Sequence, residues 1–336
     1  MPAVPSPKHE RHPLSNPTDL IEVRVARKNV EAEGITSFEF VRPDGGTLPA
    51  FEPGAHLDIH VPGGLIRQYS LCNPANETNR YQIAVLRDPG SRGGSVAMHD
   101  QLNEGDIVKI SAPRNHFPLQ AGVKHTLLLG GGIGITPVLC MAEHLARDSQ
   151  SFELHYCTRS PSRTAFHDAI KAGPFADKVE FHFDDGAAEQ KLDIAGKLSS
   201  VSPDTHLYVC GPKGFMDAVL GKARELGWPE SRIHFEYFAA EVVHKADDGT
   251  FEVEVSSSGK VIPVAPDQTI AQALAAAGIE VPLSCEQGVC GTCLTRVVSG
   301  TPDHRDMYLT PAEQEANDQI LVCCSRSKSP KLVLDL

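Results

Sequence analysis

The chain has 336 residues, of which 41% are hydrophobic and 22% are charged. This is the composition of an ordinary globular protein, and its length gives room for two or three domains. The formal net charge of −12 argues against a nucleic acid partner, and the absence of any run of about eighteen apolar residues argues against a membrane span.

Residues 1–19 are rich in proline, histidine and charge and contain no apolar core. They therefore do not form a secretory signal, and we predict a disordered tail. The nine cysteines show no disulfide framework. Because thiols stay reduced in the cytoplasm, these features together predict a cytoplasmic protein.

Residues 20–121 are predicted to form an antiparallel β-barrel. Short stretches that alternate apolar and polar residues, such as Ile35–Val41, are separated by turns and not by long helices. One strand places Arg67 and Tyr69 on the same face, where a cation and an aromatic ring could hold a phosphate and a flat ring. Gly93–Ser95 opens a short helix whose N-terminus suits a phosphate. Each signal has a plainer alternative, an ordinary surface pair or a simple glycine turn.

Residues 122–238 are predicted to form an α/β domain with a parallel sheet, because buried-type strands alternate with helical segments. The strand His125–Leu129 is followed at once by the loop Gly130–Pro137 and a helix, the context in which a glycine run binds pyrophosphate. The loop does not match the GxGxxG dinucleotide fingerprint. A second loop, Cys210–Met216, follows a later strand at the edge where open α/β sheets bind ligands.

Residues 250–336 are predicted to be a small α+β domain that follows a polar linker over 239–249. Two strands are joined by the hairpin turn Ser256–Gly259, and an alanine-rich helix, Thr269–Ala277, comes next. From Asp248 to the C-terminus there are twelve acidic and six basic side chains, a charge of −6. This acidic face suits a basic protein partner, although acidity also serves solubility.

Three cysteines of this domain, Cys285, Cys290 and Cys293, have the spacing C-x4-C-x2-C, and Cys323–Cys324 follows after a long gap. Four thiolates in this order are typical of a plant-type 2Fe–2S cluster. A zinc site would more often have two C-x2-C pairs, and a Rieske centre would replace two cysteines with histidines. The fifteen histidines of the chain show no metal-ligand spacing and are interpreted as surface or core residues.

The segment Ile320–Ser325 is predicted to be a strand. Neighbouring side chains on a strand point to opposite faces, so Cys323 and Cys324 cannot both reach the same iron.

Taken together, residues 20–336 resemble the phthalate dioxygenase reductase family, whose domain order is FMN barrel, NAD domain and C-terminal plant-type ferredoxin. The matching motifs are Arg67-x-Tyr69-Ser70-Leu71-Cys72-Asn73, Arg92-Gly93-Gly94-Ser95, Pro113-Arg114-Asn115-x-Phe117-Pro118-Leu119, Gly131-Gly132-Ile133-Gly134-Ile135-Thr136-Pro137, Cys210-Gly211-Pro212, Cys285 to Cys293, Asp303-His304-Arg305-Asp306 and Leu332-Val333-Leu334-Asp335-Leu336.

The resemblance implies an FMN-binding β-barrel over 20–121, an NAD-binding α/β domain over 122–238 and a β-grasp ferredoxin domain over 250–336. It assigns FMN contacts to Arg67, Tyr69, Ser70, Gly93, Gly94, Ser95 and Phe238. It assigns NAD contacts to Gly132, Ile133, Gly134, Thr136, Cys210, Gly211 and Pro212. It assigns the cluster ligands to Cys285, Cys290, Cys293 and Cys323, which leaves Cys324 as a buried hydrophobe.

The implied function is an NADH-dependent reductase that passes electrons through FMN and the 2Fe–2S cluster to a separate terminal oxygenase. A Rieske enzyme acting on an aromatic acid or similar small molecule is the expected partner, and a monomer is expected. No side chain is assigned as an acid or base; Ser70 and Cys210 are placed near the hydride path. Two alternatives stay open, a reductase for a haem monooxygenase and a redox-sensing cluster protein.

The preference for NADH is predicted from charge. Asp184 and Asp185 follow the strand Val179–Phe183, and a carboxylate there would repel the 2′-phosphate of NADPH. Arg159 and Arg163 follow the preceding strand and could serve NADPH instead.

Overall fold

The computed structural model describes residues 20–91, 93–238, 245 and 248–336. The predicted tail, Arg92 and most of the predicted linker lie outside the described residues. The described residues form three large β-sheets and a two-stranded one, so the multidomain organisation is confirmed. None of the helices in these ranges is both long and apolar enough to cross a bilayer.

The first sheet is antiparallel. Its elements are β1 (Ile21–Ala32), β2 (Ile35–Val41), β3 (Ala55–Val61), β4 (Leu65–Ser70), β5 (Tyr81–Leu86), helix α1 (Gly94–Gln101), β6 (Ile107–Ile110) and β7 (Arg114–Asn115). The strands pair in the order β4-β3-β6-β1-β2-β5, with β7 beside β3. A bridge between Leu71 and Ile83 joins the two ends, so the sheet closes around a core that contains Phe38, Leu57 and Ile59.

The second sheet is parallel, as the alternation of strands and helices predicts. Its elements are β8 (His125–Gly131), α2 (Ile135–Arg147), β9 (Phe152–Thr158), α3 (His167–Ala172), β10 (Val179–Phe183), α4 (Ile194–Ser200), β11 (Thr205–Cys210), α5 (Lys213–Glu225) and β12 (Ile233–Glu236). The strand order is β10-β9-β8-β11-β12.

Helices cover both faces of this second sheet. Leu128 packs with α2 on one face, while Leu127 and Leu129 pack with α5 on the other, which explains the continuous apolar run of β8. Helix α5 was not predicted from the sequence. The loops that follow β8 and β11 meet at one edge, because these two strands are neighbours in the sheet.

The third sheet is mixed. Its domain contains β13 (Phe251–Val255), β14 (Val261–Val264), α6 (Ile270–Ala276), β15 (Leu294–Ser299), β16 (Pro302–Asp303), α7 (Pro311–Ala316), β17 (Gln319–Leu321), β18 (Arg326–Ser327) and β19 (Lys331–Leu334). The strand order is β14-β13-β19-β15-β17, and β16 pairs with β18. Thr269 begins α6 with a capping box, in which its hydroxyl and the side chain of Gln272 each bond to the other's backbone N–H.

The predicted strand over Ile320–Ser325 is wrong. The strand ends at Leu321, and the next residues form a turn closed by the amides of Cys324 and Ser325, which donate to the Leu321 carbonyl at 3.4 and 3.0 Å. The sequence resembles a strand because it is apolar, but residues 322–325 are buried as part of a turn and not as part of a strand. Strand alternation therefore gives no reason to separate Cys323 from Cys324.

Buried ion pairs fix the start of the third domain. Asp248 pairs with Arg305 and lies 3.7 Å from Arg326 Nε, and Arg305 also binds Asp303 at 2.7 Å. These arginine and Asp248 side chains are less than one-tenth exposed. The Lys245 amide donates to Asp248 at 3.0 Å, so the domain holds the chain back to that residue.

Candidate redox sites

The cysteine loop places its thiols in one buried group. Cys285, Cys290, Cys293 and Cys323 are each at most 6% exposed. Gly288 and Gly291, both at φ 72°, make the turns that bring the loop round. A side chain at Gly291 would lie 2.3 Å from the ring of Tyr308, so glycine is required there.

Backbone N–H groups point at the sulfur atoms, as the glycine-containing loop predicts. The amide of Gln287 donates to Cys285 Sγ at 3.3 Å, and that of Gly288 to Cys323. The pKa of the Cys290 thiol is lowered because the Cys285 thiol donates a hydrogen bond to it. The pKa of the Cys323 thiol is lowered by hydrogen bonds from Cys293 and, to a smaller extent, from Cys324. Buried sulfurs surrounded by N–H donors fit an anionic 2Fe–2S cluster.

Cys324 lies behind the loop. Its Sγ is 3.8 Å from both the Leu321 carbonyl and Ser325 Oγ, and it packs against Gly288, where a Cβ would lie 2.5 Å away. Cys323, by contrast, pairs with Cys293, one of the other predicted ligands. These contacts favour Cys323, which stays the predicted fourth ligand.

A second site lies where the first two sheets meet. Ser70 ends β4, Cys210 ends β11, and the register of β11 with β12 puts Glu236 beside Cys210. Burial raises the pKa of Glu236 to about 8, and the hydrogen bond from Ser70 opposes that rise. Burial, and then Glu236, raise the pKa of the Cys210 thiol. Both groups therefore keep their protons at neutral pH.

Glu236 was missed in the sequence. Its Oε2 is shielded from solvent and has no hydrogen-bond partner among the described residues. The available signal was a carboxylate among the aromatic residues of the segment His234–Phe238, at the position where β12 ends. A protonated carboxyl there can donate a hydrogen bond, which an ionised one cannot.

The glycine loop after β8 packs against the end of β11. A Cβ on Gly134 would lie 2.3 Å from the Cys210 carbonyl oxygen, so only glycine permits this approach. Gly132 has φ 52° and makes the first turn. Thr136 is buried, and its hydroxyl donates to the Ile133 carbonyl at 3.1 Å, which holds the loop in shape.

The second loop completes this edge. A Cβ on Gly211 would lie 3.0 Å from Cα of Gly131, so the two loops touch through their backbones. Pro212 directly precedes α5 and sets its start. Backbone surfaces this close leave room for a nucleotide to lie against main-chain atoms.

The predicted phosphate residues come together at the start of α1. Gly93, at φ 96°, precedes the helix without a capping side chain, and a Cβ on Gly94 would lie 2.6 Å from the Arg67 side chain. Ser95 Oγ accepts from the Asp88 amide at 3.2 Å and keeps its own hydrogen to donate. A guanidinium over an uncapped helix start fits a phosphate.

The two aromatic residues assigned to the flavin pack against different parts of the core. Tyr69 is partly buried against the core of the first sheet. Phe238 is partly buried against a cluster that contains residues of both the first and the second sheet, such as Ile35 and Tyr156.

Asp184 and Asp185 directly follow β10. Their amides donate to the carbonyls of Thr158 and Arg159, each at 3.0 Å. Arg163, one of the two cations that could favour NADPH, is held at 2.6 Å by Glu33, in the turn between β1 and β2. The charge balance at this edge therefore leans towards the carboxylates.

The cysteine loop docks on the first sheet. Ser284, next to Cys285, donates to Asp58 of β3 at 2.9 Å in a buried contact, and Arg114 also pairs with Asp58. Arg67 Nη1 lies 3.4 Å from a carboxylate oxygen of Glu286. Residues on both sides of the first cysteine are thus tied to the sheet that carries the predicted FMN site.

Aromatic rings continue this junction. The His116 ring centroid lies 5.0 Å from that of His56 and 5.9 Å from that of Tyr308. His56 pairs in register with Ser70, and Tyr308 packs on Gly291. The second site, whose Ser70 and Cys210 are predicted to lie near the hydride path (the predicted hydride site), is therefore linked to the cysteine loop by packed side chains.

Comparisons with known proteins identify the domain that carries the cysteine loop and the relatives of the whole chain. Residues 253–328 match the 2Fe–2S iron-sulfur cluster binding domain. The chain is 58% identical to vanillate O-demethylase oxidoreductase of Pseudomonas sp. (strain HR199 / DSM 7063), over 94% of this chain and all of that one. It is 43% identical to phthalate dioxygenase reductase of Burkholderia cepacia, over 94% and 98% of the two chains.

The chain belongs to the family of oxygenase reductases that includes these two proteins. The predicted oxidoreductase class, and the electron path from NADH through FMN to a 2Fe–2S cluster, are confirmed.

Two solved structures resemble the whole reductase. One is phthalate dioxygenase reductase, described as a modular structure for electron transfer from pyridine nucleotides to 2Fe–2S, with 42% identity, a TM-score of 0.76 and coverage of 95% and 98%. The other is an intact type IV self-sufficient cytochrome P450 monooxygenase, with 34% identity and a TM-score of 0.80, covering 94% of this chain and 41% of that one.

Proposed function

We propose that this reductase takes electrons from NADH and delivers them to a separate oxygenase of the vanillate O-demethylase type. The observation that carries the proposal is the 58% identity over the full length of such an oxidoreductase. The direct contact of the cysteine loop with the first sheet supports it, because both redox sites then lie in one connected molecule.

The proposal divides the chain at the boundaries predicted above, with a flavin barrel over 20–121, a nucleotide domain over 122–238, a linker over 239–249 and a β-grasp ferredoxin domain over 250–336. When bound, FMN supplies hydride acceptance and single-electron release, and the cluster supplies one-electron transfer. The protein positions the cofactors and sets the electrostatics around them. The contacts described at the two sites support this division of roles.

At the hydride site, the side chains hold protons and exclude water. Ser70 donates to Glu236, and burial keeps Glu236 and Cys210 uncharged, so a nicotinamide ring would meet a neutral surface. Gly132, Ile133, Gly134 and Thr136 would shape the edge for the pyrophosphate. Asp184 would face the ribose and disfavour the 2′-phosphate of NADPH.

At the other end of the flavin, Arg67 and the amides of Gly93, Gly94 and Ser95 would bind the phosphate. Tyr69 and Phe238 would pack on the ring from the two sides. Arg67 also contacts Glu286, so the phosphate-binding side chain is shared with the cysteine loop.

The test reconstitutes the system. The purified reductase is mixed with a vanillate O-demethylase oxygenase, and NADH oxidation is followed with and without vanillate. We expect vanillate-dependent oxidation, and at least about tenfold lower efficiency with NADPH. A reductase that bleaches with NADH and reduces cytochrome c, yet gives no vanillate-dependent turnover, would refute the assigned partner; one that does not bleach would instead favour a redox-sensing protein.

A haem monooxygenase is the second candidate partner. The observation that favours it is the likeness to a self-sufficient cytochrome P450, which carries a matching region in the same chain as the haem. A cytochrome P450 without its own reductase, offered in the same assay in place of the vanillate oxygenase, separates the two candidates.

A further inference from the structure

A group of histidines and carboxylates lies on the second sheet, away from the redox sites. In the parallel pairing of β9 and β10, His155 is opposite Glu180, and His182 follows two residues later. Side chains two residues apart on a strand share a face, so Glu153, His155, Glu180 and His182 all lie on the same face of the two strands. Sequence spacing concealed this group, because its members come from two separate strands.

The side chains converge on one point. His155 Nδ1 lies 2.9 Å from His182 Nε2 and 3.5 Å from Glu180 Oε2. These atoms all lie within 4.8 Å of one another. His155 and His182 are both buried, while the Glu180 side chain is 66% exposed and opens onto solvent.

The far nitrogen of each imidazole lies near an oxygen atom. His182 Nδ1 is within hydrogen-bonding distance of the Gln190 carbonyl oxygen, at 3.1 Å. The buried His155 Nε2 lies 3.5 Å from Glu153 Oε2 and makes no hydrogen bond among the described residues. A proton on each far nitrogen leaves both near nitrogens as bare lone pairs facing each other at 2.9 Å. Two facing lone pairs repel unless a cation lies between them. Histidines that bind metals are typically oriented in this way, by a carboxylate or carbonyl on the other nitrogen.

We propose that His155, His182 and Glu180 bind a divalent transition metal, with Zn²⁺ as the best match to two imidazoles and one carboxylate. With metal–nitrogen distances of about 2.0–2.1 Å, nitrogens 2.9 Å apart subtend about 90°, and tetrahedral geometry needs them to part by about 0.4 Å. The exposed carboxylate can adjust to the ion. A cleft of about 290 Å³ beside the group, lined also by Lys191, Asp193 and Gly196, admits a water as the fourth ligand.

A second histidine pair in the same sheet serves as an internal control. His206 Nδ1 lies 2.9 Å from His234 Nε2, and the rings are stacked as in the first pair. Among the described residues no carboxylate joins this pair, and Arg232 lowers the pKa of His206 after burial does. The first pair also has a cation nearby, Lys197, but that side chain is paired with Glu153 at 3.0 Å. A neighbouring cation without a carboxylate disfavours a metal ion, so the two pairs should behave differently.

The experiment measures Zn²⁺ binding to the holoprotein. After chelation that leaves the flavin and cluster absorbance unchanged, Zn²⁺ is titrated by calorimetry and counted by metal analysis after dialysis. We expect one tight equivalent per chain in the wild type and in His206→Ala. We expect its loss in His182→Ala and at least about tenfold weaker binding in Glu180→Gln.

Thermal unfolding gives a second readout. Zn²⁺ should raise the unfolding temperature of the wild type and of His206→Ala but not that of His182→Ala, because a ligand stabilises only the state that binds it. Glu180→Gln changes an exposed side chain and keeps the test valid if His182→Ala does not fold. An equivalent that survives in both site variants, or a wild type that binds none, would overturn the proposal; so would Zn²⁺ uptake that tracks loss of cluster absorbance.

Discussion

The cysteine loop and the predicted hydride site accommodate charge in opposite ways. In the loop, buried sulfurs receive hydrogen bonds from the backbone, so the fold is prepared for negative charge that stays in place. At the hydride site, Glu236 and Cys210 are buried beside each other with few donors, and both remain protonated. The difference indicates that one molecule can hold an anionic centre and a neutral one. Several backbone amides donate to sulfur at the first, whereas at the second burial outweighs the hydrogen bonds from the Gly211 amide and the Ser70 hydroxyl.

The largest effect is expected at the cysteine loop. Cys323→Ala removes a sulfur that pairs with Cys293, and we expect loss of essentially all cluster iron while NADH still reduces the flavin. Cys324→Ala is the matched control, since it removes the neighbouring thiol and should keep the iron. Iron content and visible absorbance of the two purified variants make the measurement. The opposite pattern would move the ligand to Cys324.

The next largest effect is expected from a substitution that disturbs the predicted hydride site and leaves the cysteine loop intact. Gly134→Ala would place a Cβ 2.3 Å from the Cys210 carbonyl, and backbone cannot yield as a flexible side chain can. We expect a loss of about 1–3 kcal/mol in stability and a fall in NADH-dependent flavin reduction of at least about tenfold. Iron content should stay at the wild-type level.

Gly214→Ala is the control for this change, because no atom lies within 4 Å of its added Cβ and the residue is in helix α5. It should keep full activity and change stability by no more than about 1 kcal/mol. Equal rates in the two variants would show that the contact of Gly134 with Cys210 does not shape the nucleotide edge.

The pH dependence of stability tests whether the carboxyl group of Glu236 is protonated in the folded protein. The folded-state pKa of Glu236, about 8, is above its ordinary value of 4.5, so the folded protein binds more protons than the unfolded chain between these values. The stability contribution of this group is complete below pH 4.5 and is lost as the pH rises through 8. Glu236→Gln should therefore match the wild type near pH 5 and exceed it at pH 9 by on the order of 2–4 kcal/mol.

The measurement is the unfolding temperature of each flavin-loaded protein from pH 5 to 9. Parallel curves for Glu236→Gln and wild type would mean that the carboxyl already ionises at low pH, and the contrast with the cysteine loop would fail.

The smallest effect concerns the contact between the two sites. Ser284→Ala removes the hydrogen bond to Asp58 and should weaken docking by about 1 kcal/mol, which lowers the rate of cluster reduction about fivefold. Flavin reduction by NADH should not change. Stopped-flow absorbance resolves the two steps, and Ser257→Ala, on an exposed turn of the same domain, is the control. If both serine variants transfer electrons at the wild-type rate, the contact does not control the step.

The cysteine loop could be predicted because its first three predicted ligands lie within nine consecutive residues, Cys285 to Cys293. Strand and helix periodicity likewise predicted most elements of the first two sheets. The hydride site could be predicted only in part, since Ser70, Cys210 and Glu236 come from different strands and meet through sheet register. The His155–His182 group was missed because its members come from two strands that meet only through sheet register. The turn at Cys323 was missed because a buried turn can be as apolar in sequence as a strand.

The ion pairs of Asp248 have a consequence for how the reductase shares its electrons. The third domain holds the chain back to Lys245, so the connection from Phe238 can extend at most ~25 Å. The predicted linker, as a tether of this length, would keep the local concentration of the ferredoxin domain at the flavin-binding sheet on the order of millimolar. The contacts between the cysteine loop and the flavin-binding sheet can then be weak. A separate oxygenase at micromolar concentration must bind the cluster face about a thousandfold more tightly than that sheet does in order to compete for it.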